Sequence, residues 1–240
     1  MKYIEKQTSP QAFELWKENK KNRQKDLAKI EDLTTKKLDT RWNNLKSKTD
    51  IFKLLRESLL KEQGYLCCYC QQKINLELKT TAVEHLIARK IDGSLLFEYS
   101  NLLASCLGGR KEESEQTNIK YCNHARGHID LEITPLQKDC ETYFDYFQIE
   151  DNDEWEVKVV GVNEIATKVI DLLNLNTAKL CRLRGETLRP FLENLTTEEA
   201  TIILNKLKVE LNNTLNKPLI PFVQVLIRLL EKNYIKTNAQ

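Results

Sequence analysis

The sequence predicts an α+β fold that is mainly α, with a compact centre between N-terminal and C-terminal helices. Helical periodicity dominates both ends of the chain, whereas β-type runs occur near residues 81–87, 102–106 and 144–160. Five of the seven glycines fall between residues 64 and 127, a stretch that contains no proline. This use of glycine marks the centre as rich in turns rather than as one long helix.

Length and composition fit a soluble protein that can bury a full hydrophobic core. The 240 residues correspond to one or two domains, and 41% hydrophobic with 30% charged residues is an ordinary globular composition. We predict a basic helical region at 1–64, a compact core at 65–135, and a β-hairpin followed by helices at 136–240. The apolar run at 219–230 is too short and too interrupted to span a membrane, and the N-terminus lacks the apolar segment of a secretory signal.

The N-terminal region is expected to form two helices. Ser9 and Pro10 suit the cap and the first position of a helix that continues through a basic stretch to about residue 33. A second helix over residues 50–63 places its apolar side chains on one face, and Gly64 should end it. That helix leads the chain directly to the first cysteines.

The C-terminal region is expected to begin with a β-hairpin, because residues 144–149 and 155–160 alternate around a polar turn. Four helices should follow: from Asn163 to about 173, from Thr177 to about 192, after the capping box Thr196-x-x-Glu199, and from Pro221 to about 234. Their apolar stripes indicate core or partner-facing surface rather than a cofactor site.

Four of the seven cysteines bracket the centre of the chain in a pattern typical of a metal site. Cys67 and Cys70 form a C-x-x-C pair whose thiolates can bind one tetrahedral ion, and Cys106 with Cys122 is the natural second pair. We therefore predict a structural Zn²⁺ in a reducing cytoplasm rather than a disulfide framework. The alternative is that these thiols are ordinary buried hydrophobic residues. The remaining cysteines are interpreted as core or spare thiols: Cys68, Cys140 and Cys181.

Polar residues suited to phosphodiester hydrolysis lie among these cysteines. In chain order they are a carboxylate, an imidazole, an amide and two further imidazoles: Glu84, His85, Asn101, His124 and His128. A metal ion has to neutralise the scissile phosphate, a general base has to deprotonate water, and that base has to be held in one tautomer. All three histidines of the chain belong to this set, and core packing does not explain that concentration.

These residues resemble the HNH endonuclease family, whose ββα-metal motif runs from a [D/H/E]-H pair through Asn to His or Asn. The resemblance implies a ββα-metal core with a four-cysteine zinc staple within residues 65–135. It also implies that Glu84 and His124 bind the catalytic metal, that His85 is the general base and that Asn101 orients it. Glu at position 84 departs from the commoner Asp or His, and the stretch from Leu107 to Lys120 replaces the short C-x-x-C of many members.

The sequence leaves the role of His128 open. On a continuous helix it would lie one turn after His124, so that both imidazoles could bind one metal, as in family members with a His-x3-His pair. Gly127 lies between them and lowers helix propensity by roughly 1 kcal/mol relative to alanine, which favours a helix end there. We take Glu84 and His124 as the main metal ligands and His128 as a candidate third.

A wider resemblance covers roughly residues 1–185 and concerns the PtuB-type HNH nuclease subunits of Septu antiphage defence, whose relatives accompany some retrons. The stretches that carry it lie in residues 1–16, 101–106 and 170–176. This resemblance implies a PtuA-like ATPase partner, which nothing in composition or spacing indicates.

The leading hypothesis is a metal-dependent nuclease that cleaves DNA. A carboxylate ligand favours Mg²⁺ or Mn²⁺ as the catalytic ion, whereas two imidazoles favour Zn²⁺, Ni²⁺ or Mn²⁺. Residues 11–60 hold 13 basic against 8 acidic side chains, which suits a polyanion, whereas residues 67–162 hold 10 against 17. Two alternatives stay open: a zinc-stapled adaptor that binds nucleic acid or protein without catalysis, and a nuclease that acts on RNA.

Overall fold

The computed structural model describes residues 1–19, 35–77, 80–109, 119–151, 154–212 and 217–235. Within them the helices are α1 (Gln11–Glu18), α2 (Thr35–Ser47), α3 (Thr49–Glu62), α4 (Asn123–Arg126), α5 (Glu164–Leu173), α6 (Ala178–Leu192), α7 (Thr197–Asn212) and α8 (Val223–Leu230). Two antiparallel pairs are formed by β1 (Thr81–His85) with β2 (Leu102–Cys106) and by β3 (Phe144–Asp151) with β4 (Glu154–Gly161). The predicted α+β, mainly α class is confirmed.

The N-terminal helices differ in part from the sequence prediction. Pro10 rather than Ser9 occupies the cap of α1, because Pro10 has extended angles of φ −58° and ψ 130°. The helix ends at Glu18. The rest of the predicted basic helix, from residue 20 to about 33, lies outside the described residues. The helix predicted over 50–63 is confirmed as α3, and the φ of +62° at Gly64 lets the chain turn toward the cysteines.

Helix α3 is the support on which the N-terminal part packs. Helices α1 and α2 both contact it, and α3 itself contacts β2. Its inner face consists of leucines with no solvent exposure: Leu55, Leu59 and Leu60. The extended segment before α1 is tied to the same core, because Ile4 N–H donates to Pro135 O at 2.8 Å and the Lys6 ammonium binds the Glu62 carboxylate.

Strands β1 and β2 and the short helix α4 form the centre of the chain. The register places His85, the last residue of β1, opposite Leu102, the first residue of β2. Leu86 N–H extends this pairing by donating to Asn101 O at 2.9 Å. Helix α4 is a single turn that ends before Gly127, whose φ is +64°. The β-type runs noted near residues 81–87 and 102–106 are therefore paired strands, and a short helical turn follows them at Asn123–Arg126.

The second hairpin, β3 with β4, is also confirmed, and α6 packs closely on it. A Cβ atom at Gly185 of α6 would lie 1.8 Å from the carbonyl oxygen of Trp155, so only glycine permits this approach. The neighbouring Arg184 is buried and donates to Val157 O at 2.9 Å. These contacts make β4 and α6 one packed unit.

The predicted caps of the C-terminal helices are confirmed. Asn163 and Thr177 each accept a hydrogen bond from the backbone N–H three residues on. Thr196 and Glu199 bond each other's backbone N–H groups, as a capping box requires. The last predicted helix is α8, which begins two residues after Pro221 and continues into a π turn.

The C-terminal region is hydrogen bonded to the centre. Cys122 N–H donates to Leu173 O at the end of α5 (2.7 Å), and the Asn174 side-chain amide donates to Lys120 O (2.8 Å). Buried hydrophobic residues from both ends of the chain form one cluster. The region boundaries at 64 and 135 stay a prediction. None of the described helices is long and apolar enough to cross a membrane.

Candidate active site and metal centre

Four cysteine sulfurs form one buried cluster. The Sγ atoms of Cys67, Cys70, Cys106 and Cys122 all lie within 4.8 Å of one another, with 4.0 Å between those of Cys70 and Cys106. Zn–S bonds of about 2.3 Å in a tetrahedron require sulfur separations of about 3.8 Å, so the cluster is compatible with structural zinc. Among the described residues it is the one group of three or more potential ligands this close together.

Local backbone geometry positions these cysteines. Cys67 and Cys70 lie in a turn that is closed by Gln71 N–H donating to Cys67 O at 3.1 Å. Cys106 ends β2, and its N–H donates to Cys67 Sγ at 3.3 Å, a contact that favours the thiolate a metal needs. Cys122 has a φ of +53° and directly precedes α4. The sulfur cluster therefore connects the end of β2 to the start of α4.

The remaining cysteines, Cys68, Cys140 and Cys181, are buried outside this cluster. All seven cysteines are free thiols. Burial raises the pKa of Cys140 to about 12, so this thiol stays protonated at neutral pH. The three behave as core residues, as predicted.

A cavity of about 600 Å³ is lined by residues of β1, α2, α3 and α4. Four of the five polar residues selected from the sequence line it: Glu84, His85, His124 and His128. The fifth, Asn101, is buried and is not among the lining residues. The fold thus brings residues more than 40 positions apart in the chain to one cavity.

The buried imidazole of His85 is fixed in one tautomer. Its Nε2 lies 3.0 Å from Leu96 O, and a carbonyl oxygen can only accept, so Nε2 carries the proton and Nδ1 the lone pair. Burial, with a smaller contribution from the positive charge of Arg89, lowers the pKa of His85 to about 3. Trp42 packs edge-on against the ring, with centroids 4.5 Å apart. The imidazole is therefore neutral and held at pH 7.

Asn101 acts on the backbone around His85. Its side-chain oxygen accepts from Ile87 N–H at 2.7 Å, and its amide donates to Ile87 O at 3.0 Å and Leu95 O at 3.3 Å. These bonds hold both the segment after His85 and the loop that supplies Leu96 O. Asn101 can therefore orient His85 through the backbone, and its assigned role stays a prediction.

Glu84 is held by protein groups. Arg126 Nη2 lies 2.8 Å from its Oε1, and the Tyr69 hydroxyl donates to the same oxygen at 2.9 Å. Burial raises the pKa of Glu84, while the charge of Arg126 and the bond from Tyr69 oppose that shift. Arg126 also donates to the carbonyls of His85 (2.8 Å) and Leu86 (2.7 Å), which fixes α4 to the end of β1. The proposed metal-binding role of Glu84 stays a prediction.

The two histidines near α4 are placed differently. Nδ1 of His124 lies 3.2 Å from Gly108 O, so this nitrogen carries the proton and a metal would bind through Nε2. Helix α4 ends before Gly127, so His124 and His128 do not share a continuous helix. His128 is exposed but lines the same cavity. Its role as a ligand stays open.

Sequence reasoning missed three residues that position the site: Trp42, Tyr69 and Arg126. Trp42 comes from a helix that the sequence analysis does not predict, 43 positions before His85, and no local pattern connects the two. Tyr69 and Arg126 lie inside the motifs themselves, within the C-x-x-C and two residues after His124. Their position could have suggested a structural role, although not which partners they have.

Comparisons with known proteins support the HNH endonuclease family. The chain is 26% identical over 174 residues to "Retron Ec83 putative HNH endonuclease" of Escherichia coli, covering 59% of the chain and 67% of that protein. It is 29% identical over 93 residues to "Retron Vc95 putative HNH endonuclease" of Vibrio cholerae serotype O1 biovar El Tor, covering 38% and 42%. No family model matches the chain. These similarities support a nuclease, and they do not confirm the narrower PtuB-type resemblance.

Arg126→Met is expected to lower the free energy of unfolding by about 3 kcal/mol or more, because it leaves Glu84 buried without its cation. The pKa of Glu84 is already raised, and loss of Arg126 would raise it further. When the pKa of a carboxyl group is higher in the folded than in the unfolded state, the free energy of unfolding falls as the pH rises through the folded-state pKa. Urea denaturation should therefore show a larger decrease in the free energy of unfolding for Arg126→Met at pH 8 than at pH 5.

Arg89→Met is the matched control, because its ion pair with Asp39 is partly exposed. We expect a change below about 1 kcal/mol, with little dependence on pH. The prediction fails if Arg126→Met lowers the free energy of unfolding as little as the control does, or by the same amount at both pH values. Either result would contradict a stabilising role of the Arg126–Glu84 ion pair.

Proposed function

We propose that this protein is a metal-dependent HNH endonuclease that hydrolyses phosphodiester bonds of DNA. The observation that carries the proposal is the state of His85, whose Nε2 is bonded to Leu96 O and whose ring lines one cavity with Glu84, His124 and His128. A neutral imidazole can act as general base in metal-assisted hydrolysis when carboxylate and imidazole ligands hold the metal nearby. The similarity to the two retron proteins supports the same conclusion.

In the proposed reaction Nδ1 of His85 takes a proton from the attacking water. The water oxygen forms a bond to phosphorus, and the bond to the leaving ester oxygen breaks. The products are a phosphomonoester and an alkoxide, which takes a proton from solvent to become a hydroxyl end. A pKa near 3 describes a weak base, but the negative charge of a bound phosphate would raise it. Leu96 O and Trp42 keep the ring in place during this transfer.

A catalytic divalent metal, when bound, supplies charge neutralisation at the phosphate and at the leaving oxygen. We propose His124, through Nε2, and Glu84 as the residues that hold it, with His128 as a candidate third. Asn123 Oδ1 also lines the cavity and is a buried oxygen without a hydrogen-bond partner among the described residues, which fits a hard cation nearby. This donor set suits Mg²⁺ or Mn²⁺, with Zn²⁺ or Ni²⁺ as alternatives.

The buried cysteine cluster is proposed to hold a structural Zn²⁺. The sulfurs of Cys67, Cys70, Cys106 and Cys122 lie within 4.8 Å of one another, which is compatible with a tetrahedral ion. Such an ion would fix Cys122 relative to the end of β2, and through it the start of α4, which carries His124. Its contribution is to folding and to the placement of the site rather than to the reaction.

His85→Ala and His85→Gln are each expected to lower the rate of plasmid cleavage in Mg²⁺ or Mn²⁺ by roughly 100-fold or more, since the general base is lost. Glutamine keeps a donor for Leu96 O but cannot accept the proton, so it separates loss of chemistry from loss of packing. Gel assays of plasmid nicking measure the rate, with single-stranded DNA and RNA as parallel substrates.

Val83→Ala is the control, because Val83 lies on the same strand and lines the same cavity but has no polar group. It should cleave at a rate close to that of the wild type. Wild-type turnover by His85→Gln would refute the general base, and cleavage of RNA alone would change the substrate class. A wild-type protein that binds but cleaves no nucleic acid, even in the presence of the proposed PtuA-like ATPase, would favour the zinc-stapled adaptor.

Cys70→Ser is expected to lose bound zinc and to melt at a lower temperature, because a structural ion contributes folding free energy directly. Elemental analysis and thermal denaturation measure the two effects. Cys68→Ala is the matched control, since Cys68 is buried in the same turn but lies outside the sulfur cluster, and it should keep the zinc. Absence of zinc from the wild type, or an unchanged melting temperature in Cys70→Ser, would contradict the site.

The resemblance to PtuB-type subunits extends the proposal to a nuclease effector of an antiphage defence complex with a PtuA-like ATPase. Several hydrophobic side chains in the C-terminal region are exposed and are candidates for contact with such a partner: Phe147, Val162, Ile202 and Val209. We expect the two proteins to elute together in size-exclusion chromatography after co-expression. A double variant, Ile202→Glu with Val209→Glu, should weaken that association, and separate elution of the wild-type proteins would count against the complex.

A further inference from the structure

One buried arginine of the cavity, Arg56, has no counter-charge within the part of the chain that the structure describes. Arg56 of α3 is 4% exposed, lines the same cavity as His85, and plays no part in the reaction described above. Its Nε and Nη2 atoms have no hydrogen-bond acceptor among the residues that the structure describes. Burial lowers the pKa of Arg56, but a guanidinium remains charged at neutral pH. A buried cation with unsatisfied donors is costly unless an anion binds there.

A series of aromatic contacts relates Arg56 to the general base. The guanidinium lies over the ring of Phe52 at 5.9 Å, one helical turn earlier in α3. Phe52 packs edge-on against Trp42 at 6.0 Å, and Trp42 packs against His85 at 4.5 Å. Packed rings leave these side chains little freedom. Arg56 and His85 are therefore joined by a continuous series of packed side chains, through Phe52 and Trp42.

The cavity as a whole favours an anion. Among the residues that the structure describes, the lining contains five basic side chains, Lys46, Arg56, Arg89, Lys90 and Arg126, and two acidic ones, Asp39 and Glu84. Both acidic groups are paired, Asp39 with Arg89 and Glu84 with Arg126, each at 2.8 Å. Counting only lysine and arginine against aspartate and glutamate, five minus two leaves a surplus of three positive charges among these described residues. Low-dielectric walls concentrate the field of such a surplus on a bound anion.

We propose that Arg56 is a phosphate-binding residue, and that α2 and α3 form the wall of the cavity that receives a backbone phosphate of the nucleic-acid strand. The two unsatisfied N–H groups of the guanidinium match the paired oxygens of a phosphate, which arginine binds bidentately. The identity of the anion as a strand phosphate rests on the proposed function, whereas the anion site itself rests on the geometry of Arg56.

The first test measures anion binding without cleavage. Inorganic phosphate should raise the melting temperature of the wild-type protein, and Arg56→Gln should abolish most of that rise. Without phosphate, Arg56→Gln should melt at the same temperature as the wild type or higher, because it removes a buried unpaired charge. Lys53→Gln, an equal change of charge at an exposed position of α3, is the control and should respond to phosphate like the wild type.

The second test measures binding of a short DNA oligonucleotide by fluorescence anisotropy, in a His85→Gln background that prevents cleavage. Arg56→Gln should weaken binding about tenfold or more and should reduce the salt slope by about 1. Arg56→Lys keeps the charge but loses the planar pair of donors, so its affinity should fall between those of the wild type and Arg56→Gln.

Four outcomes decide the proposal. Loss of both the phosphate response and oligonucleotide affinity in Arg56→Gln, but not in Lys53→Gln, would support it even if the wild type proved unable to cleave DNA. A phosphate response without an effect on the oligonucleotide would show a site for free phosphate and overturn the assignment to the strand. Equal binding by Arg56→Gln and wild type would overturn the site. A lower melting temperature of Arg56→Gln without phosphate would show that Arg56 has a structural partner, which would also overturn it.

Discussion

The buried ion pair between Arg126 and Glu84 is the interaction on which the candidate site depends. The Arg126 side chain is 1% exposed, so its charge has to be compensated inside the protein. Glu84 and two backbone carbonyls at the end of β1 provide that compensation. Because Arg126 belongs to α4, the bonds that it forms with Glu84 and with these carbonyls bring His124 to the strand end that carries His85. The need to compensate the buried charge of Arg126 thus determines how α4 is placed against the end of β1.

The cysteine cluster is a second constraint on the same elements. Strands of five residues and a helix of four are too short to be stable by themselves. The sulfurs connect β2 to the segment before α4, while Arg126 connects α4 to β1. The candidate site is therefore held by contacts between side chains that are buried from solvent.

Features with local signals could be predicted from the sequence. The caps at Asn163 and Thr177 and the alternating hairpin strands depend on neighbouring residues alone, and Gly127 marked the end of α4. Helix α2 was missed although Leu38, Trp42 and Leu45 have helical spacing, because most residues around them are polar. The contacts of Trp42 with His85 and of Arg126 with Glu84 could not be predicted, because they arise only when separate elements pack together. The same holds for the burial of Arg56.

The hydrogen bonds that join α5 to the centre determine how far the site can be separated from the rest of the chain. Leu173 O receives the N–H of Cys122, and Asn174 holds the carbonyl of Lys120, so the fourth cysteine is supported from outside the central region. A fragment of residues 65–135 would contain all four cysteines and all five polar residues of the site, yet it would lack that support. The centre is consequently not a portable module, and grafting it onto another scaffold would require a substitute for the end of α5.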